Sequence, residues 1–292
     1  MQELIFAKDY KHNDTLRESF SELASQTFGI HFEEWYQKGF WNERYIPYSL
    51  IHGDQVVANV SVNLLSFVIN SEKKTAIQIG TVMTHPDFRK RGLSAKLMNL
   101  VLAEYEDQYD FMYLFANDTV LDFYPKFGFQ PVEEHQFSMS YTPGYIEGLT
   151  GIRKLDLNQT EDLDLVAQFA AQRVPVSQRF GTDNCPGIFM FYALYVFPQE
   201  LYYLEEKDVI AIYKQEGDCL HLYDWLGKQK VSLLTLVRKL AGPETKKIMF
   251  HFTPDEEGIE TESISVNTGL FVKTNGKIPY PVHVKHPMTS IA

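Results

Sequence analysis

The stretch TVMTHPDFRKRGLSAKLMN, residues 81–99, changes its hydrophobic period half-way along. Up to Met83 it continues the run TAIQIGTVM, in which Ile77, Ile79, Thr81 and Met83 alternate as on a strand with one buried face. After Gly92, Leu93, Leu97, Leu100 and Val101 recur at the spacing of an amphipathic helix. The junction carries Pro86, and then Arg89, Lys90 and Arg91 directly before Gly92. A helix start leaves its first backbone N–H groups unpaired and carries partial positive charge, so it attracts phosphate. Gly92 permits close backbone approach and Ser94 is small, so this junction reads as a phosphate-binding loop. The pattern GxxxxGK[ST] is absent, which argues against nucleoside-triphosphate hydrolysis.

Outward from the junction, the first half alternates strand-like and helical segments. LIFAK reads as a short strand and FEEWYQKGF as a short helix. DTLRESFSELASQTF reads as a helix capped by Asp14, with Leu16, Phe20, Leu23 and Phe28 turned inward. YIPYSLIHGDQVVANVSVNLLSF gives two strands around a turn at His52, Gly53 and Asp54. FMYLFA is a compact buried strand, DTVLDFYPKF a short helix and FQPVEEHQFSMSY a returning strand. Turn formers crowd TPGYIEGLTG and place a boundary between residues 1–142 and 150–292. The second half offers a helix in QTEDLDLVAQFAAQ, strands in ELYYLEE, DVIAIYKQ and CLHLYDWL, a helix in VSLLTLVRKL and a strand in KIMFHF. That is the element order of the first half from Tyr45 onward, without its residues, and suggests a diverged duplication.

Composition narrows the class. A hydrophobic share of 45% and a charged share of 22% suit a globular chain of 292 residues. The net charge of −11 argues against nucleic acid as a partner and is compatible with cationic amines. Cys185 and Cys219 form no CxxC pair and MQELIFAKDY lacks the pattern of a signal peptide, so a cytoplasmic location is expected. The longest apolar run, IFMFYALYVF, is well short of the about 20 residues that cross a bilayer. It is read as a buried core element, with no membrane partner.

The segment VMTHPDFRKRGLS resembles the acetyl-CoA-binding motif of the GCN5-related N-acetyltransferases (GNAT), Arg/Gln-x-x-Gly-x-Gly/Ala, with Ser94 in the last place. FANDTVLDFYPKFGF is similar to the later segment of that family, where Asn, Phe-Tyr and Gly-Phe close the cofactor site. The resemblance covers residues 1–142. It implies an α/β (α+β) fold, a mixed and mostly antiparallel sheet flanked by helices, followed here by a second, diverged GNAT-like domain. It also implies acetyl transfer from acetyl-CoA, with no metal, to a primary amine of a small molecule or peptide. By the resemblance Val82, Met83 and Thr84 offer backbone groups to the pantetheine arm and thioester. Arg89, Lys90, Arg91, Gly92, Leu93, Ser94 and Ala95 hold the pyrophosphate, Asn117 touches the cofactor arm, and Tyr124 is the general acid for the leaving thiolate. Many members carry a basic Glu on the strand before the loop. This chain has Gln78 and no carboxylate there, so the base is open and a CoA-binding protein without turnover is the alternative reading.

The family builds its acceptor pocket from the first two helices, here HFEEWYQKGFWNERYIPY. Glu33 and Glu34 would draw an ammonium group there, and Trp35, Tyr36, Trp41 and Tyr45 would stack on the acceptor. The same residues equally suit a core beneath a corner of two helices. His283 and His286 in HVKH have metal-ligand spacing without a third ligand nearby, so they read as a solvated tail. His85 reads as shaping the turn before Pro86. In the second half, WLGKQKVSLLTLVRKL keeps only Gly227 and Lys228 of the phosphate loop. That half is therefore read as non-catalytic, shaping or covering the acceptor site. The two-part arrangement resembles the enhanced-intracellular-survival-type acetyltransferases, whose sterol-carrier-like domain a chain of this length has no room to hold.

Overall fold

In the computed structural model, which describes residues 3–143, 151–276 and 279–291, the chain builds two sheets. The first half supplies β1 (Ile5–Lys8), α1 (Asp14–Phe28), α2 (Glu33–Gln37), β2 (Tyr45–His52), β3 (Gln55–Ile69) and β4 (Glu72–Thr84). It continues through α3 (Leu93–Glu104), β5 (Phe111–Phe115), β6 (Gln130–Pro131) and β7 (Glu134–Ser140). The second half supplies β8 (Ile152–Lys154), α4 (Thr160–Gln172), β9 (Phe180–Asp183), α5 (Pro186–Tyr195), β10 (Leu201–Leu204), β11 (Val209–Glu216) and β12 (Cys219–Gly227). It ends with α6 (Leu233–Leu240), β13 (Lys247–Phe250), β14 (Glu262–Val266) and β15 (Leu270–Thr274).

The two sheets have the same plan. The first runs β1-β2-β3-β4-β5-β15-β6, with β9 beside β3, and the second runs β8-β10-β11-β12-β13-β7-β14. In each, an antiparallel series leads to one parallel pair, β4 with β5 and β12 with β13, joined across a helix, α3 or α6. The next strand of each sheet comes from the other half of the chain. β15 pairs with β5 at Leu270↔Phe115 through Thr274↔Phe111, and β7 pairs with β13 at Ser140↔Lys247 through Phe137↔Phe250. The returning strand expected in FQPVEEHQFSMSY is thus two strands in two sheets, and the sheets cut across the boundary expected between residues 142 and 150. Alternation along a segment fixes which residues face a core, not which sheet receives them.

One core is shared between the sheets. It joins Phe67, Phe111 and Tyr113 of the first sheet, Ile210, Ile212 and Leu226 of the second, and Phe169, Phe189 and Met190 of α4 and α5. The run read as a buried element is α5. Separate cores lie under α3 and under α6, and a fourth, rich in aromatics, under α1 and α2.

Local details differ from expectation by single residues. The cap of α1 is Asn13, whose side chain accepts the N–H of Leu16, one place before Asp14. Phe28 and Leu100 are exposed, and Met98 takes the buried place on α3. The tail is solvated only at its start: His283 is exposed, whereas Val284, Lys285, His286, Thr289 and Ser290 are buried. Its backbone is bonded on both sides, by Thr253 at Lys285, Glu134 at His286 and His251 at Met288.

Candidate active site

β4 and β5 are paired only from Ala76↔Phe111 to Gln78↔Tyr113 and then part, so a wedge opens beyond Gln78. On its other edge, β4 is bulged. Ser61 pairs with Gly80 and Asn59 with Met83, which leaves Thr81 and Val82 opposite Val60 alone. Thr81 has φ +48°, a left-handed conformation that is strained for a β-branched residue. The Asn59 side-chain amide donates to the Thr81 carbonyl at 2.8 Å and holds the bulge closed. The expected single face of Ile77, Ile79, Thr81 and Met83 is broken here. Ile77 and Ile79 pack under α3, whereas Met83 packs under α1. Beyond the bulge the His85 N–H donates to the Val57 carbonyl at 2.8 Å, which by alternation turns the backbone groups of Met83 toward β3. Val82 and Thr84 alternate to the wedge side, so Met83 is the member of that expected trio whose N–H is spent within the sheet.

The loop follows at once. His85 caps the turn at Pro86–Phe88 by accepting the Asp87 N–H, as its placement before Pro86 suggested. Lys90 and Gly92 have φ +63° and +72°, and Gly92 is the N-cap of α3. Left-handed residues next to a helix start turn successive N–H groups toward one concavity. The Thr84 and Ser94 hydroxyls, 2.7 Å apart, tie the strand end to the helix start. A cleft of about 200 Å³ results, lined by Thr84, Arg89, Lys90, Gly92, Leu93, Ser94 and Ala95 together with Phe88 and Phe123. Arg89 also donates through Nε to the Thr84 carbonyl at 3.2 Å. Arg91 is turned away: it donates to the Asp87 carbonyl and lies over the Phe88 ring. The matching helix start in the second half is filled from within, because the Glu256 carboxylate accepts both the Ser232 hydroxyl and the Leu233 N–H.

Tyr124 is buried in the core that Leu93 of α3 and Leu114 of β5 also enter, against Phe123, Phe129 and Phe271. Burial pushes its pKa up to about 12. Among the described residues no group hydrogen-bonds its hydroxyl, which nonetheless is not among the sealed unpaired polar atoms. Asn117 is exposed, and its carbonyl oxygen accepts the N–H and hydroxyl of Thr119. Only its amide N–H₂ remains to meet a ligand.

At the other end of the bulge lies a cavity of about 370 Å³. Thr81 and Asn63 of the sheet, Phe32, Trp35 and Tyr45 of the first half, and Ile188, Phe191, Tyr192, Tyr195 and Val196 of the second half line it, with Ile291. Of the expected acceptor residues Trp35 and Tyr45 line this cavity, and Glu33, Glu34, Tyr36 and Trp41 do not. Glu33 is held by Arg17 (2.9 and 3.2 Å) and Gln37 (2.6 Å), and the Arg17 guanidinium holds its carboxyl below the usual range. Tyr36 stacks on Arg17, and Trp41 is buried with its indole N–H on the Tyr45 carbonyl. The α5 side was missed because its apolar run carries no sign of where it docks. It docks on α2: the Trp35 indole donates to the Gly187 carbonyl at 2.8 Å, and its N–H to the Tyr195 hydroxyl at 3.0 Å. A Cβ on Gly187 would meet the Phe40 carbonyl at 3.0 Å, so the approach needs glycine.

Gln78, where a base was sought, is fully buried and accepts from Asn63 at 3.3 Å. Its amide donates to the Ser290 carbonyl at 2.9 Å, and the Tyr113 hydroxyl donates to the same oxygen at 2.8 Å. Gln78 therefore anchors the tail where the wedge begins. Among the described residues no three His, Cys, Asp or Glu side chains come together as a metal site, and no helix is long and apolar enough to cross a membrane.

Comparison with known proteins agrees with the fold. Residues 10–132 match the family model of an acetyltransferase (GNAT) domain. No curated protein matches the chain by sequence. Among solved structures, a probable N-acyltransferase from Enterococcus faecalis has a similar fold, with a TM-score of 0.61 and 13% identity over 94% of this chain and 73% of that one. A GCN5-related N-acetyltransferase from Kribbella flavida is similar at a TM-score of 0.56 and 16% identity, over 93% and 71%. Eis1 from Mycobacterium abscessus is similar at 0.56 and 10%, over 94% and 74%. At such identities the likeness concerns the fold, and it extends over both halves. The chain is a tandem of GNAT-like folds, and its residues 10–132 are similar to the GNAT acetyltransferase domain.

Proposed function

We propose that the protein transfers an acetyl group from acetyl-CoA to a primary amine, with the donor phosphates in the cleft at the start of α3. The observation that carries this reading is the placement of the two cavities along one strand, β4: Thr84 lines one and Thr81 the other. Three residues of strand span about 10 Å. A pantetheine arm leaving the cleft would run along Val82 and Thr84 and bring its thioester to the bulge.

There the amine nitrogen attacks the thioester carbonyl, the C–N bond forms, the C–S bond breaks, and one proton passes from nitrogen to sulfur. Backbone N–H groups on the wedge side of β4 would hold the carbonyl oxygen as it gains charge. Tyr124 would serve the leaving sulfur. A phenol with its pKa pushed up to about 12 is protonated at working pH, yet full proton transfer to a thiolate of pKa about 8.5 runs uphill by roughly 5 kcal/mol. Its part is thus a hydrogen bond to the developing thiolate, with the proton coming from the amine. Release of CoA thiol on addition of an amine tests the reading, and acetyl-CoA binding without release under any amine would favour the non-catalytic alternative.

A further inference from the structure

Resting on the acetyltransfer reading, we propose that the acceptor is a monoamine carried on an aromatic or bulky apolar body, and not a polyamine or an amino sugar. The cavity beyond the bulge is polarised end to end. At the β4 end stand Asn63 and the paired hydroxyls of Tyr45 and Thr81, 2.6 Å apart. The remaining wall is mainly apolar, with Ile30, Phe32, Trp35, Ile188, Phe191 and Val196; of its polar members His31 is exposed, the Tyr192 hydroxyl donates to the Ile291 carbonyl and the Tyr195 hydroxyl accepts the Trp35 N–H. A ligand that matches has one polar end directed at the thioester and an apolar remainder against α2 and α5.

Size agrees. A cavity of about 150 Å³ accepts benzene, so 370 Å³ takes a ring with a side arm or two fused rings. Charge agrees as well. Among the described residues no Asp or Glu lines the cavity; Glu33 and Glu34, the acids adjacent in sequence to its wall, are paired with Arg17 and Gln37 and with Lys38, respectively. Further ammonium groups of a polycation would be buried there without partners. The acidic net charge of the chain thus does not extend to this cavity. A longer acyl group on the donor is the rival occupant, but its methylenes would cover Asn63 and the Tyr45–Thr81 pair without replacing their hydrogen bonds.

The test uses the full chain with acetyl-CoA and compares phenethylamine and tryptamine with spermidine and kanamycin, by thiol release and by calorimetric binding in the presence of CoA. The aryl amines are expected to exceed the polycations in kcat/KM by about 100-fold, the order of discrimination an apolar pocket supplies. Phe191→Asp is expected to reverse much of that preference. Val196→Asp does the same at a half-exposed position that tolerates the change in folding, and acetyl-CoA affinity should stay constant in both. Preference for spermidine or kanamycin overturns the proposal, as does a Val196→Asp effect confined to longer acyl donors. Aryl-amine binding without thiol release leaves the assignment of the cavity standing and overturns acetyl transfer instead. Absence of aryl-amine binding overturns the assignment itself.

Discussion

The hydroxyl groups of Tyr45 and Thr81 lie 2.6 Å apart across the bulge of β4, at the polar end of the cavity. Burial pushes the Tyr45 pKa up to about 12, so this phenol stays neutral at working pH. Tyr45→Phe should cost about 1 kcal/mol of stability and raise KM for the amine. Thr81→Gly is more diagnostic. Relief of the left-handed conformation returns about 1–2 kcal/mol, while added chain entropy and the lost hydroxyl bond take back about the same. Thermal melting should therefore be nearly unchanged while acetyl transfer falls, because the Tyr45 hydroxyl loses its partner at the polar end of the cavity although Asn59 still holds the Thr81 carbonyl. A large loss of stability would contradict this account of the bulge.

Tyr124→Phe should lower kcat by about 100-fold, the order lost when one hydrogen-bond donor to a developing charge is removed. Acetyl-CoA affinity and stability should barely change, since the hydroxyl has no partner among the described residues. With its pKa near 12, Tyr124 stays protonated through pH 10, so its deprotonation should produce no fall in rate between pH 8 and 10. Undiminished turnover in Tyr124→Phe would remove it from the mechanism.

The exchanged strands make the two halves interdependent. A fragment of residues 1–142 lacks β15, and its β5 edge and the Phe67–Phe111–Tyr113 face lose their cover. Unpaired edges of this kind aggregate. Expressed alone, either half should be insoluble or unfolded, and the intact chain should unfold in one transition by circular dichroism and by tryptophan fluorescence. Independent folding of residues 1–142 would contradict the topology.

Acid should destabilise the protein through two buried histidines. Burial, aided by Lys285, pushes His251 and His286 down to about 3, so both are neutral in the folded state. The unfolded chain protonates them near pH 6.5 and so binds more protons than the folded one below that value. Stability is complete above about pH 6.5 and is lost progressively as pH falls toward 3, by about 2 kcal/mol per histidine at pH 5. Urea midpoints should drop between pH 7 and 5, and less so in His286→Gln. A slope unchanged by that substitution would assign the effect to other groups.

The strand, loop and helix start that form the cleft were legible in sequence because they are local. The change of period at Thr81–Asn99, with Gly92 at the turn, announces the strand, loop and helix start within nineteen consecutive residues. The acceptor side was not, because its cavity joins Phe32 and Trp35 to Phe191 and Tyr195 across the chain. Nor does any period mark Val284–Ser290, a segment buried through backbone bonds to Thr253, Glu134 and His251. The bulge escaped notice because Thr81 itself, a residue that disfavours positive φ, occupies the position. Arg91 shows the reverse limit: a cation placed correctly in sequence folds back onto Phe88 and out of the cleft.

The most direct measurement is the shift in thermal unfolding caused by acetyl-CoA, in the wild type and in Ser94→Glu. At about 100 times its dissociation constant the ligand adds roughly 2.7 kcal/mol, or about 5 °C for a chain of this size. Ser94→Glu sets a carboxylate in the first turn of α3, a stabilising place for the helix but one that repels phosphate. The account predicts a clear shift in the wild type, little with free pantetheine, and none in Ser94→Glu despite an unchanged starting Tm. No shift in the wild type at millimolar acetyl-CoA, or an equal shift in both proteins, would contradict the assignment of the cleft.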